Sequence, residues 1–296
     1  MNDPKLDDRA LAAQQPGNID EALDCMRHTL QRFHAAGDKR AIFLRLYYIM
    51  TLEVHAAIHG LGDYSGKQVF LDADWVRALS GRFATLYFKG LDTRGREPDD
   101  GVERAWKAAD TACRSFRSTV VQNALLGINA HINYDLPRAI AANLDPAELN
   151  DYPTLQLRKF DHDQVNNLLV RTLRPIQDVL ARDYAPGIAL IDNLLGNLDE
   201  RLSEAGLKYY RERVWWDALT YASAVKTETE GIVRDKLNWE SHKVAEFLRT
   251  KRELWIPERV LGLPGALLGT RRWDRIPLET VGGVDVPDGT VVNPLA

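Results

Sequence analysis

Histidine recurs in this sequence with a ligand-type residue four positions away. His55 and His59 form one such pair, His131 and Asp135 a second, and His162 and Asn166 a third. On a helix, residues i and i+4 share a face, with Cβ atoms about 5–6 Å apart. Each pair could therefore close on one ion or one substrate group. Neutral imidazole combined with carboxylate suits zinc, iron, manganese or nickel. A metal held by two or three His and one Asp, with a position left open, lowers the pKa of its bound water to about 7 and supplies a hydroxide nucleophile. The spacing points to a divalent metal, zinc or iron. His131 and Asp135 are the first expected ligands, and His55, His59 and His162 the next. His131, Asp135 and His162 are also the catalytic candidates. The metalloprotease helix requires His-Glu-x-x-His. His55-Ala-Ala-Ile-His59 lacks that Glu, and Glu53 lies on another face.

Asn129 and Asn133 make a further i,i+4 pair on the opposite face of the segment that carries His131. Polar side chains in an otherwise apolar helix are costly to bury unless they are partnered. They are expected to orient a small-molecule substrate, as is Asn166, with Trp215 as a pocket wall. Two other readings stay open. The same residues could form a structural polar network, or His131 or His162 could act as acid or base without a metal. Trp215 and Trp216 could equally be core aromatics beside an Arg213–Asp217 ion pair. His28, His34 and His242 stand in charged surroundings and are expected at the surface.

The run Leu126-Gly-Ile-Asn-Ala-His-Ile-Asn-Tyr-Asp-Leu-Pro137 resembles the signature of an uncharacterised bacterial all-helical family, a domain of unknown function. That resemblance covers most of the chain and implies no activity. His131-Ile-Asn-Tyr-Asp135 is locally similar to the His-Tyr-x-x-Asp step of the all-helical zinc-dependent phospholipase C and P1-nuclease family. That likeness implies zinc-dependent hydrolysis, with His162 matching a second His and Asn166 standing where the family has a carboxylate. The all-helical di-iron oxidases of the haem-oxygenase-like kind resemble the chain more loosely. On that likeness Glu53, His59, His131, Asp135 and His162 would supply the cage. The leading expectation is a metal-dependent hydrolase. A non-haem iron oxidase and a non-catalytic helical binding or scaffold protein with a buried polar network are the alternatives.

Positioning these residues is a task for helices. Ile19 to Ala36 carries Ile19, Ala22, Leu23, Met26, Leu30 and Phe33 at helical spacing. Lys39 to His59 is apolar on nearly every face, which predicts a central helix ended by Gly60. Asp72 reads as the N-cap of the next helix. A long helical pattern runs from Val102 to Tyr134, with a kink or restart at Pro137. Asp145 to Pro153 reads as a connection. Further helices are expected over 161–183, with Pro175 kinking or splitting it, and over 187–206, 207–227 and 233–254, with a short one over 257–268. The fold is expected to be all-α: one domain of eight to ten helices over 19–270, a flexible tail over 1–18, and an irregular tail or short hairpin over 271–296.

The composition fits this. The 296 residues are 45% hydrophobic and 27% charged, with 38 Lys plus Arg against 42 Asp plus Glu, a net charge of −4. This charge argues against a nucleic-acid partner, which wants a strongly basic face. Cys25 and Cys113 are too few for a disulfide framework or a thiolate zinc site. The acidic N-terminus has no apolar signal region, and no integral membrane segment is expected, so a cytoplasmic location follows as an expectation. Walker A, G-x-S-x-G and G-x-G-x-x-G patterns are absent, which removes nucleotide-kinase, serine-hydrolase and Rossmann readings.

Overall fold

A computed structural model describes residues 7–93, 103–184 and 204–250, together with the strand residues 280–281 and 284–285. The fold is all-α. In chain order the helices are α1 (Asp8–Ala12), α2 (Ile19–Ala35), α3 (Arg40–His59), α4 (Ala73–Gly90), α5 (Arg104–Arg114), α6 (Val120–Ala130), α7 (Leu136–Asn143), α8 (Tyr152–Val179), α9 (Glu204–Ala224) and α10 (Glu230–Thr250). Thr280–Val281 and Val284–Asp285 pair as a minimal antiparallel hairpin.

α3 is the axis of the packing. It lies against α2, α6 and α8, while α4 packs on α2 and α7, and α10 on α5 and α6. Ile42, Leu44, Leu46, Ile49 and Leu52 are all buried on it. Arg40–Tyr64 is long and apolar enough to cross a membrane, but 89% of its most apolar window is buried inside the protein. Its hydropathy is accounted for by the core. Gly60 ends α3 at φ 62°, a left-handed conformation that glycine adopts without a Cβ clash.

The cap read from the sequence at Asp72 is formed, its side chain accepting from Trp75 N at 2.9 Å. The structure adds a second at Asn18, which accepts from Glu21 N at 3.0 Å. The Asp161 side chain on α8 extends the first of these, accepting from Leu71 N at 2.7 Å and Asp72 N at 2.8 Å. It anchors the entry to α4 from a distant part of the chain.

Three expectations change, and a fourth takes a specific form. The pattern over 102–134 is two helices, because Ser115, Ser118 and Thr119 compete for backbone groups. Ser118 Oγ donates to Ala112 O and Ser115 O, Lys39 Nζ donates to Ser115 O, and Thr119 opens α6 with Gln122 in a capping box. The restart at Pro137 takes the form of a π-helical turn, His131–Asp135, ahead of α7. Pro137 brings no N–H, so widening the ladder just before it avoids a lost bond. α8 begins at Tyr152 and runs through Pro175 without splitting. The stretch expected as a loose tail carries α1, whose Leu11 is buried and whose Asp8 pairs with Arg40 at 2.9 Å. The helices expected over 187–206 (up to residue 203) and 257–268 lie outside the described residues.

Candidate metal centre

Two turns of helix meet at one edge of α3. His55 and His59 lie side by side in its last turns, their rings tilted by 40° with centroids 4.2 Å apart. The first turn of α2 lays Asp20 beside them. His55 Nε2 lies 2.7 Å from Asp20 Oδ1, and His59 Nε2 lies 3.6 Å from the same oxygen. One ligand atom from each residue falls within 4.8 Å of the other two. Groups bound to a single ion at about 2.1 Å stand roughly 3.0–3.4 Å apart in octahedral or tetrahedral geometry. The set is therefore nearly gathered, from two helices whose ends are fixed by Asn18 and Gly60.

Its electrostatics follow from being half-open. His55 is buried, while the side chains of His59 and Asp20 are 32% and 47% exposed. Burial lowers the His55 imidazole below its ordinary range, against the pull of the Asp20 hydrogen bond. Burial raises Asp20, but the His55 hydrogen bond and the charges of His55, Arg77 and His59 hold its carboxyl below the usual carboxylate range. Arg77 arrives from α4, its Nη1 3.0 Å from Asp20 Oδ2 and 3.5 Å from His59 Nε2. His55 Nδ1 is buried with no hydrogen-bond partner among the described residues.

His131 and Asp135 form a different structure. His131 Nδ1 lies 3.0 Å from Asp135 Oδ2, which also accepts from Trp106 Nε1 at 3.0 Å. Arg138 Nη1 is 3.6 Å from the other carboxylate oxygen. Both side chains are sealed, at 2% and 1% exposure. Phe83 stacks flat on the His131 ring at 3.5 Å, and Tyr47 meets it edge-on at 4.3 Å. Phe43, Tyr87 and Trp106 complete the enclosure. Burial drives the imidazole well below its ordinary range. It pushes the Asp135 carboxyl up to about 7, against Arg138 and the Trp106 hydrogen bond. Among the described residues, the three-ligand group with atoms this close is Asp20, His55 and His59; no third ligand joins His131 and Asp135.

The five expected ligands therefore do not share one cage. His131 packs on Tyr47, and His55 lies eight residues further along the same helix, about 12 Å at 1.5 Å per residue. His162 is buried on α8, its Nδ1 3.2 Å from Asp163 Oδ1 and its ring 5.5 Å from Trp215. Asn166 follows it with Oδ1 enclosed and unpartnered among the described residues. Trp215 is buried in the core, whereas Trp216 is exposed and Arg213 Nε stands 3.5 Å from Asp217. Only Trp215 is a core aromatic; Trp216 stands at the surface, its Nε1 donating to Glu212 Oε1 at 3.0 Å.

Asn129 and Asn133 are occupied within the protein. Asn133 Nδ2 donates to Asn129 Oδ1 at 2.9 Å, and Asn129 Nδ2 donates to Ser241 O on α10 at 2.9 Å. They tie α6 and its π-turn to α10. His34 is buried rather than exposed, 2.7 Å from the Tyr184 hydroxyl that follows α8. Asp20 was not among the expected ligands. It lies 35 residues from His55, a separation that no helical period registers.

No curated protein and no solved structure matches the chain. A family match covers residues 19–251, a span that includes Asp20, His55, His59 and the His131–Asp135 pair. The chain belongs to DUF5995, a family of unknown function.

Proposed function

We propose that this protein is a metal-dependent enzyme, hydrolytic in type, whose divalent ion is held by Asp20, His55 and His59. One observation carries the reading: two imidazole nitrogens and a carboxylate oxygen from separate helices converge at a half-open edge. Three protein ligands with solvent access leave coordination positions for water and substrate, as catalytic zinc sites do and closed structural sites do not. A bound ion would supply Lewis acidity and a hydroxide near neutral pH. The His131–Asp135–Trp106 cluster is read as a structural polar pair, since five aromatic rings close it from solvent.

Metal titration of the chelator-treated full chain tests this. The expected result is one Zn2+ or Mn2+ per chain, with affinity lost in Asp20→Asn and in His55→Gln and kept in Asp135→Asn. A wild-type chain that binds neither ion overturns the reading. Two His and one carboxylate are also the ligand set of non-haem iron oxygenases. Retention of Fe2+ with metal-dependent O2 consumption, and no chelator-sensitive ester hydrolysis, would favour that chemistry instead.

A further inference from the structure

We infer that Arg77 makes this centre a receptor for an oxyanion, so that the substrate carries a phosphate or carboxylate group beside the bond that reacts. The inference rests on the metal reading above. Asp20 presents its two oxygens to different partners. Oδ1 faces His55 and His59, and Oδ2 accepts from Arg77 Nη1 at 3.0 Å. An ion at the first oxygen and a guanidinium at the second would flank a single carboxylate. Both are groups that bind the oxygens of a phosphate or carboxylate.

The chemistry of Arg77 favours this use. Guanidinium offers five N–H donors in a planar fork that matches both oxyanions. Its contacts at this site take up Nη1. Its Nε lies 3.7 Å from Asp74, an almost fully exposed carboxylate whose charge water screens. The Arg77 side chain is itself 31% exposed, so a ligand reaches the fork without opening the core. With neutral imidazoles, a divalent ion, one Asp20 and one Arg77 sum to a positive centre, and an anion is what such a centre recruits.

The test uses the full chain loaded with Mn2+, with inorganic phosphate and acetate as separate probes. Paramagnetic broadening of the phosphate 31P signal, or the acetate 13C signal, reports an anion held beside the ion. The wild type is expected to bind at least one probe, and whichever binds names the group. Arg77→Gln should weaken that binding about tenfold or more, with Mn2+ affinity unchanged or higher. Arg77→Lys, which keeps the charge and loses the fork, should fall between and serves if the Gln variant does not fold. Mn2+ binding with anion affinity equal in wild type and variant overturns the role of Arg77 and leaves the metal centre standing, as does Mn2+ binding with neither probe held. Failure of the wild type to bind either Mn2+ or Zn2+ overturns both; if it binds Zn2+ alone, the Zn2+-loaded chain is titrated with the same two probes, and equal anion affinity in wild type and Arg77→Gln overturns the role of Arg77.

Discussion

Alanine at position 81 should pull Asp20 away from His55 and His59, the proposed metal ligands. Gly81 sits in α4 where the helix crosses the start of α2, and a Cβ there would stand 2.4 Å from Asn18 N, 2.5 Å from Gly17 C and 2.7 Å from Gly17 O. Ordinary contact begins near 3.4 Å, so the backbone of residues 17–18 must withdraw by about 1 Å. It cannot evade by a rotamer change, because every atom met is main chain. Asn18 caps α2, and Asp20 is two residues on. A withdrawal of that size stretches the 2.7 Å His55–Asp20 contact beyond hydrogen-bond range. Overpacking costs about 1–3 kcal/mol, and a weakened cap about 1 kcal/mol more. Replacing a helical glycine returns roughly 1 kcal/mol. The net loss is then about 2 kcal/mol, or a melting temperature lower by about 4–8 °C. Gly231→Ala is the control, since nothing lies within 4 Å of its Cβ. It should gain about 0.4–1 kcal/mol. Thermal melts and Mn2+ titration read both variants. A Gly81→Ala protein as stable as wild type, with unchanged metal affinity, would refute the α2–α4 apposition and the placement of Asp20 that depends on it.

Three more outcomes follow from the buried groups. His131→Ala removes a ring packed between Phe83 and Tyr47 and strips Asp135 of a partner. The expected cost is about 3–5 kcal/mol in denaturant melts with metal affinity intact; a stable variant that loses metal would return the centre to His131. Tyr64→Phe removes the hydroxyl that donates to buried Glu53. A loss of about 1–3 kcal/mol is expected, largely relieved in the Tyr64→Phe, Glu53→Gln double variant, and an additive double-mutant cycle would sink the pairing. His34 is lowered to about 4, by burial first and then by Arg45. Between pH 6.5 and 4 the unfolded chain binds a proton there that the folded chain does not, so stability falls as pH falls through that window. The stability of wild type relative to His34→Gln should drop by on the order of 3 kcal/mol between pH 7 and pH 4. Asp135, raised to about 7, runs the opposite way, which is why the variant difference rather than the wild-type curve is diagnostic. A flat difference would place His34 in contact with solvent.

The sequence by itself determined the local structure. The apolar period over Ile19–Ala36 and the all-round apolarity of Lys39–His59 match α2 and α3 to within a residue, and Gly60 and Asp72 act as the stop and start they resemble. Each is a contest among residues within one or two turns, and the i,i+4 pairing of His55 with His59 and of His131 with Asp135 belongs to the same class. What those pairs would meet was decided by tertiary structure. His131 and Asp135 met Phe83, Tyr47 and Trp106, which sealed them. His55 and His59 met Asp20 and Arg77, which left them half-open. Helical period says which residues share a face and nothing about which helix that face will oppose. Opposition is set by the fit of remote surfaces, such as Gly81 on the backbone of Gly17 and Asn18 or Asp161 on the entry to α4. Asp20 became a candidate ligand only because that fit carried the start of α2 to the end of α3.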